Sequence, residues 1–133
     1  MTDRVQVRQW IAAYEAAWRA PGTDRLADLF TADATYLQSP YEPPVIGLTA
    51  IQQMWDDERG QDEVFTLATE VVAVDGATAV VRADVAYERP RRQDYRDLWV
   101  IRLADDDRCI WFEEWPYWPG RGYTPAGDST DAR

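Results

Sequence analysis

The chain has no histidine, no lysine and no asparagine, and its 133 residues include one cysteine. Each absence removes a chemistry. Without histidine, neither a Ser-His-Asp nor a Cys-His arrangement can be built, and imidazole-ligated zinc or iron is excluded. Without lysine there is no Schiff base. The single Cys109 allows no internal disulfide and has no base to activate it, so it reads as a small buried hydrophobe. Long hydrophobic runs are also missing. None approaches the roughly 20 residues of a spanning helix, and the start Val5-Gln6-Val7-Arg8-Gln9-Trp10 lacks the apolar centre of a signal peptide, which implies a cytoplasmic protein. Positive charge is scarce, with 14 basic against 24 acidic residues and a net charge of -10. That balance repels phosphate backbones and anionic bilayers, so neither nucleic acid nor a membrane is an expected partner.

What remains for chemistry is carboxylate, tyrosine and arginine, in a chain that is 46% hydrophobic and 13% aromatic, ample for one core in one domain. Acid clusters at Asp56-Asp57-Glu58 and Asp105-Asp106-Asp107 read as solvated charge rather than as metal sites. Over residues 3–20, Val7, Ile11, Tyr14 and Trp18 recur at helical spacing, and Pro21-Gly22 ends that helix. Thr23 or Asp24 can cap a short second helix burying Leu26, Leu29 and Phe30, and residues 34–38 read as a short strand. After a proline-rich turn, Thr49 and Gln52 form a capping box opening a third helix that buries Ile51, Met54 and Trp55 and closes at Gly60. Four strands follow, at 64–74, 77–88, 95–103 and 109–118, the first two joined by the hairpin signal Asp75-Gly76. An antiparallel sheet is expected. The Gly-, Pro- and Ser-rich stretch 119–133 has little to bury and reads as a disordered tail, leaving one domain over 1–118.

On the last strand, period-2 alternation puts Trp111, Glu113, Trp115 and Tyr117 on one face. If that face looks into a cavity, desolvation favours a protonated Glu113 able to act as acid or base near neutral pH; the alternative is a carboxylate pinned by an arginine in an aromatic face. On the strand before it, Tyr95, Asp97, Trp99 and Ile101 share a face, so Asp97 and Glu113 can oppose each other across neighbouring strands. The strand 80–88 admits two registers, one with Arg82 and Asp84 inward and one with Val81, Ala83, Val85 and Tyr87 inward.

The element order is an α+β plan in which a curved antiparallel sheet wraps around N-terminal helices. Together with Leu29-Phe30-Thr31-Ala32-Asp33-Ala34-Thr35-Tyr36, the segment from Ser39-Pro40 to Gly47 leading to Ile51 and Trp55, and the aromatic last strand, it resembles the SnoaL-like branch of the nuclear transport factor two superfamily over residues 3–118. That resemblance implies a cone-shaped fold with a pocket at its open end, usually in a homodimer. Within the superfamily, Tyr36-Leu37-Gln38, Arg82-Ala83-Asp84 and Trp111-Phe112-Glu113 resemble the site of limonene epoxide hydrolase. By that resemblance Glu113 takes a proton from a water held by Tyr36 and Gln38, Asp84 protonates an epoxide oxygen, and Arg82 bridges the two acids, with no metal or organic cofactor.

The alternatives are isomerase or aldol-type cyclase chemistry by Glu113 with Asp97, and a non-catalytic ligand-binding or accessory dimer. Tyr14, Trp18, Trp55, Trp99, Trp111 and Trp115 are the expected aromatic walls, suited to a small hydrophobic molecule.

Overall fold

The computed structural model describes residues 2–60 and 62–120. Its order is α1 (Arg4–Arg19), α2 (Leu26–Leu29), β1 (Phe30–Leu37), β2 (Val45–Ile46), α3 (Leu48–Glu58), β3 (Val64–Asp75), β4 (Thr78–Arg89), β5 (Gln93–Leu103) and β6 (Cys109–Tyr117). The six strands form one curved sheet in the order β2-β1-β6-β5-β4-β3. Three of its features differ from expectation. β1 pairs with β6 in parallel, so the sheet is mixed. The short β2 pairs with β1 at Thr35–Ile46 and Tyr36–Val45 inside the proline-rich stretch, and β1 begins at Phe30, directly after α2. The disordered tail expected at 119–133 falls, beyond residue 120, outside the described residues.

Local chemistry explains most of the boundaries. Asp3 caps α1 through a reciprocal pair, its carboxylate accepting from the Gln6 N–H while the Gln6 side chain accepts from the Asp3 N–H. The capping box expected at Thr49 does not form. Helix α3 is capped two residues earlier, at Gly47, whose φ of 95° only glycine adopts freely and whose N–H is taken by the Ala34 carbonyl at 2.7 Å. Neither Thr23 nor Asp24 caps α2, which has Arg25 at its N-cap and no side-chain capping bond. Gly76, at φ 62°, makes the expected β3–β4 hairpin.

The core lies between the concave sheet face and the helices. Trp10 and Tyr14 of α1 pack on Phe112 of β6 and Phe30 of β1, and Tyr14 also meets Trp55 of α3 and Trp99 of β5 with ring centroids 5.5 and 5.4 Å apart. Such pairs add about 0.5–1.5 kcal/mol each beyond their area burial. Strand β4 takes its apolar register: Val81, Ala83 and Val85 are buried, while Arg82 and Asp84 are exposed. Arg59 fastens the end of α3 to the loop after α1, donating to the Ala20 and Gly22 carbonyls while its guanidinium lies 5.1 Å from the Trp55 ring centroid.

Candidate active site

A pocket of about 540 Å³ opens between α1, α3 and the concave face of β4–β6. Tyr14, Trp18, Trp55, Tyr87, Tyr95 and Trp99 give it aromatic walls, Tyr36, Asp97 and Glu114 supply polar groups, and Gln38, Glu58, Arg59, Glu63 and Arg91 add further polar and charged lining. Its volume suits a drug-sized ligand.

The acids that β5 and β6 present to this pocket are Asp97 and Glu114, not Glu113. Strand alternation holds on β6, but the aromatic row with Glu113 faces outward. Cys109 and Phe112 are both fully buried although three residues apart, and the β5–β6 register shifts between Arg102 and Leu103. This irregularity changes the parity: counting from buried Cys109 points 111, 113 and 115 inward, whereas beyond the shift Phe112 and Glu114 face the pocket side. Glu113 instead accepts from the indole N–H groups of Trp111 at 2.9 Å and Trp115 at 2.6 Å, on the outer face. Those two tryptophans do not line the pocket.

Arg82 and Asp84 are corrected in the same way, because hydropathy set the β4 register. Arg82 pairs with Glu70 at 3.1 Å on the outer face, and neither Arg82 nor Asp84 reaches the cavity. The Arg82-bridged pair of Asp84 and Glu113 is therefore not assembled. Gln38 does line the pocket, and its amide nitrogen donates to Glu58 at 2.6 Å.

Pairing on the sheet brings the real acids together. Trp99 is registered with Glu114 and Asp97 with Pro116, so Asp97 and Glu114 are diagonal neighbours on one face. Their carboxyls are close enough to share a hydrogen bond. From β1, the Tyr36 hydroxyl donates to Glu114 Oε2 at 3.2 Å, and the Tyr14 hydroxyl lies 2.9 Å from that of Tyr36. A chain of four polar groups thus runs Tyr14, Tyr36, Glu114, Asp97.

Burial is the first cause of the electrostatics. It pushes the Glu114 carboxyl well above the usual carboxylate range, aided by the negative charge of Asp97 and the hydrogen bond it shares with Asp97. Burial also raises Asp97, while the hydrogen bond from Glu114 and the nearby Trp99 indole favour its anion. Asp97 Oδ1 and Trp99 Nε1 are buried without any closed hydrogen bond. The two titrate as a unit, and burial keeps a proton on the pair to higher pH than an ordinary carboxylate holds one. Burial likewise raises both tyrosines, so they remain hydroxyl donors at neutral pH.

Glu114 was missed because residues 111–117 read equally well as an aromatic row facing either way. Asp97 is legible from alternation within a regular strand, Tyr36 from the resemblance to the epoxide hydrolase site, and Tyr14, Trp18, Trp55 and Trp99 from helical and strand periodicity; all six line the pocket.

This fold and pocket are those of a family: the SnoaL-like domain matches residues 7–111, and the chain belongs to it. Solved structures share the fold at low identity. A LEH-like epoxide hydrolase of M. tuberculosis is 15% identical with a TM-score of 0.68, 85% of this chain and 84% of that one being covered. The epoxide hydrolase/cyclase-like enzyme SalBIII, of pyran ring formation in the polyether salinomycin, is 16% identical with a TM-score of 0.70, covering 90% of this chain and 95% of that one. A Kribbella flavida protein assigned as a ketosteroid isomerase is 18% identical with a TM-score of 0.67, covering 100% and 92%. No curated protein matches this sequence. Among the described residues, no helix is long and apolar enough to cross a membrane.

Proposed function

We propose that the chain is a cofactor-independent acid/base enzyme acting on the oxygenated end of a small hydrophobic molecule, with Asp97 as base and Glu114 as acid. The observation that carries this reading is the pair itself: two carboxyls set as diagonal neighbours on one sheet face among aromatic walls, with Tyr36 donating to Glu114. No arginine of the pocket is bonded to them, since Arg59 is tied to the Ala20 and Gly22 carbonyls. A pair without a bridging cation retains one proton to higher pH, which suits isomerase or aldol-type chemistry. Asp97 takes a proton from the carbon beside a carbonyl, that C–H electron pair forms the enol double bond, and Glu114 passes its proton to the carbonyl oxygen. Asp97 then returns its proton to a different carbon as the enol hydroxyl gives its proton back to Glu114, which re-forms the carbonyl and completes an isomerisation.

Epoxide opening is the second reading, favoured by the position of Tyr36 beside Glu114. Glu114 then protonates the epoxide oxygen as the C–O bond breaks, and Asp97 takes the proton of the attacking hydroxyl. The expected homodimer belongs to the same proposal, with a second copy seated on the outer face where Leu98, Trp111, Trp115 and Tyr117 are exposed.

The test is α-proton exchange of cyclic enones in D2O followed by NMR, alongside turnover of a panel of terpenoid epoxides. Exchange or epoxide turnover by the wild type that is lost in both Asp97→Asn and Glu114→Gln supports the reading. A protein that binds these molecules but leaves them unchanged, with Asp97 and Glu114 titrating as ordinary carboxyls, is a ligand carrier and overturns it.

A further inference from the structure

Four charged side chains line the pocket away from the acid pair, and three are occupied. Glu58 accepts the Gln38 amide at 2.6 Å, Glu63 accepts the Gly60 N–H at 2.9 Å, and Arg59 donates to two carbonyls and stacks on Trp55. Among the described residues, Arg91 has no hydrogen bond or ion pair. It follows Arg89, the last residue of β4, and with Arg92 lies in the turn to β5; all three arginines are exposed and none is paired among the described residues. Elsewhere the arginines are mostly engaged: Arg4 with the Val71 and Val72 carbonyls, Arg19 with Glu15, Arg82 with Glu70, Arg102 with Thr78 and Arg108 with Asp106. In a chain of net charge -10, three adjacent unengaged arginines beside a pocket form a local field of opposite sign to the whole.

We infer that Arg91, flanked by Arg89 and Arg92, binds an anionic end of the ligand, so the substrate class is a hydrophobic body bearing the reacting oxygen joined to a carboxylate or phosphate that stays at the β4–β5 loop. This rests on the functional reading above and extends it to the far end of the same molecule. Arg91 lines the same cavity as Asp97 and Glu114, so a single ligand can touch both. The division is chemically consistent. An anion among the acids would be repelled by Asp97, whereas a planar guanidinium matches the geometry of carboxylate and phosphate oxygens. The walls between, Trp18, Trp55, Tyr87 and Tyr95, suit a flat uncharged body.

Calorimetric titration with 2-naphthol, 2-naphthoate and 2-naphthyl phosphate tests this without any need for turnover. In the wild type at low salt, affinity rises in that order, with the phosphate favoured over naphthol by roughly tenfold. In the triple variant Arg89→Gln/Arg91→Gln/Arg92→Gln the ratio falls to near one, while Arg96→Gln, on the outer sheet face, leaves it intact. Raising sodium chloride from about 20 mM to about 0.3 M shrinks the wild-type ratio, a readout that stands even if the triple variant does not fold. Equal affinities across the series in the wild type, or a ratio that survives the triple substitution, overturn the inference. Asp97→Asn separates the two claims: it removes turnover under the functional reading yet retains the phosphate preference, so loss of one does not imply loss of the other.

Discussion

Glu113 and Glu114 are adjacent, chemically identical and on one strand, yet they occupy opposite faces and opposite environments. Glu113 is gripped on the outer face by two indole N–H groups, a fixed acceptor with both oxygens used. Glu114 is set inside, against another acid, with Tyr36 on one oxygen and burial raising its proton affinity. The difference shows that in a curved sheet one register shift, here beside Cys109, decides which of two neighbouring carboxylates can exchange protons with a ligand.

The largest effect separates the two glutamates directly. Glu114→Gln should lower turnover by about 10²–10⁴-fold, the usual worth of a positioned acid or base, while Glu113→Gln leaves kcat within about twofold, as measured by steady-state kinetics on any substrate found in the enone and epoxide panels. Equal losses in both variants would erase the distinction between the faces.

A comparably large effect lies in packing. Phe112, on the same inward face as Glu114, is fully buried against Trp10, Tyr14 and Trp99. Phe112→Ala should cost about 3–5 kcal/mol in urea unfolding, whereas Trp111→Ala, at 37% exposure on the outer row, should cost clearly less.

The pH dependence of stability sharpens the same contrast. Asp97 and Glu114 hold their protons more tightly folded than unfolded. Below the unfolded carboxylate values, about pH 4, both states are protonated and the pair exacts no penalty. As pH rises through the folded values the buried pair must ionise, and stability is lost. Thermal melts should therefore show Glu114→Gln gaining on the wild type as pH rises above about 4, by about 1.4 kcal/mol for each pH unit separating folded and unfolded titration.

Much of this was readable beforehand, and the exceptions have physical causes. Helix α1 followed from Val7, Ile11 and Tyr14, and the β3–β4 hairpin from Asp75-Gly76, because both depend on local spacing and turn chemistry. The third helix was visible from Ile51 and Trp55, but its start was set by the backbone freedom of Gly47, a contact with β1 that no local motif encodes. The β4 register followed hydropathy, since Val81, Ala83 and Val85 have one apolar side to hide. On β6 hydropathy was silent: Trp111 and Trp115 are as apolar as Phe112, so alternation gave two faces without saying which was inside. The parallel β1–β6 pairing that brings Tyr36 to Glu114 joins residues 78 positions apart and lies beyond any local pattern.

The outer face offers its own test. Leu98, registered with Trp115, is 43% exposed and Trp115 is 42% exposed. If a second copy covers this face, Leu98→Arg should raise the dimer dissociation constant at least about tenfold by sedimentation equilibrium, without changing the titration of Asp97 and Glu114. A wild type that sediments as a monomer would remove the dimer from the proposal and leave the inner face untouched.

The smallest expected effect is the most discriminating for the reaction. Arg82 and Asp84 lie on the outer face of β4, and Arg82 is paired only with exposed Glu70. An ion pair of this kind contributes about 0–1 kcal/mol, so Arg82→Gln and Asp84→Asn should each shift stability by less than about 1 kcal/mol and leave kcat and KM at wild-type values. An arginine bridging two acids in the cavity would behave otherwise, because removing it would leave both carboxyls uncompensated and cost orders of magnitude in rate. Silence at both positions, together with loss at Asp97 and Glu114, would mean that this chain carries its proton chemistry on β5 and β6, with Tyr36 of β1 fixing the orientation of the acid from outside that strand pair.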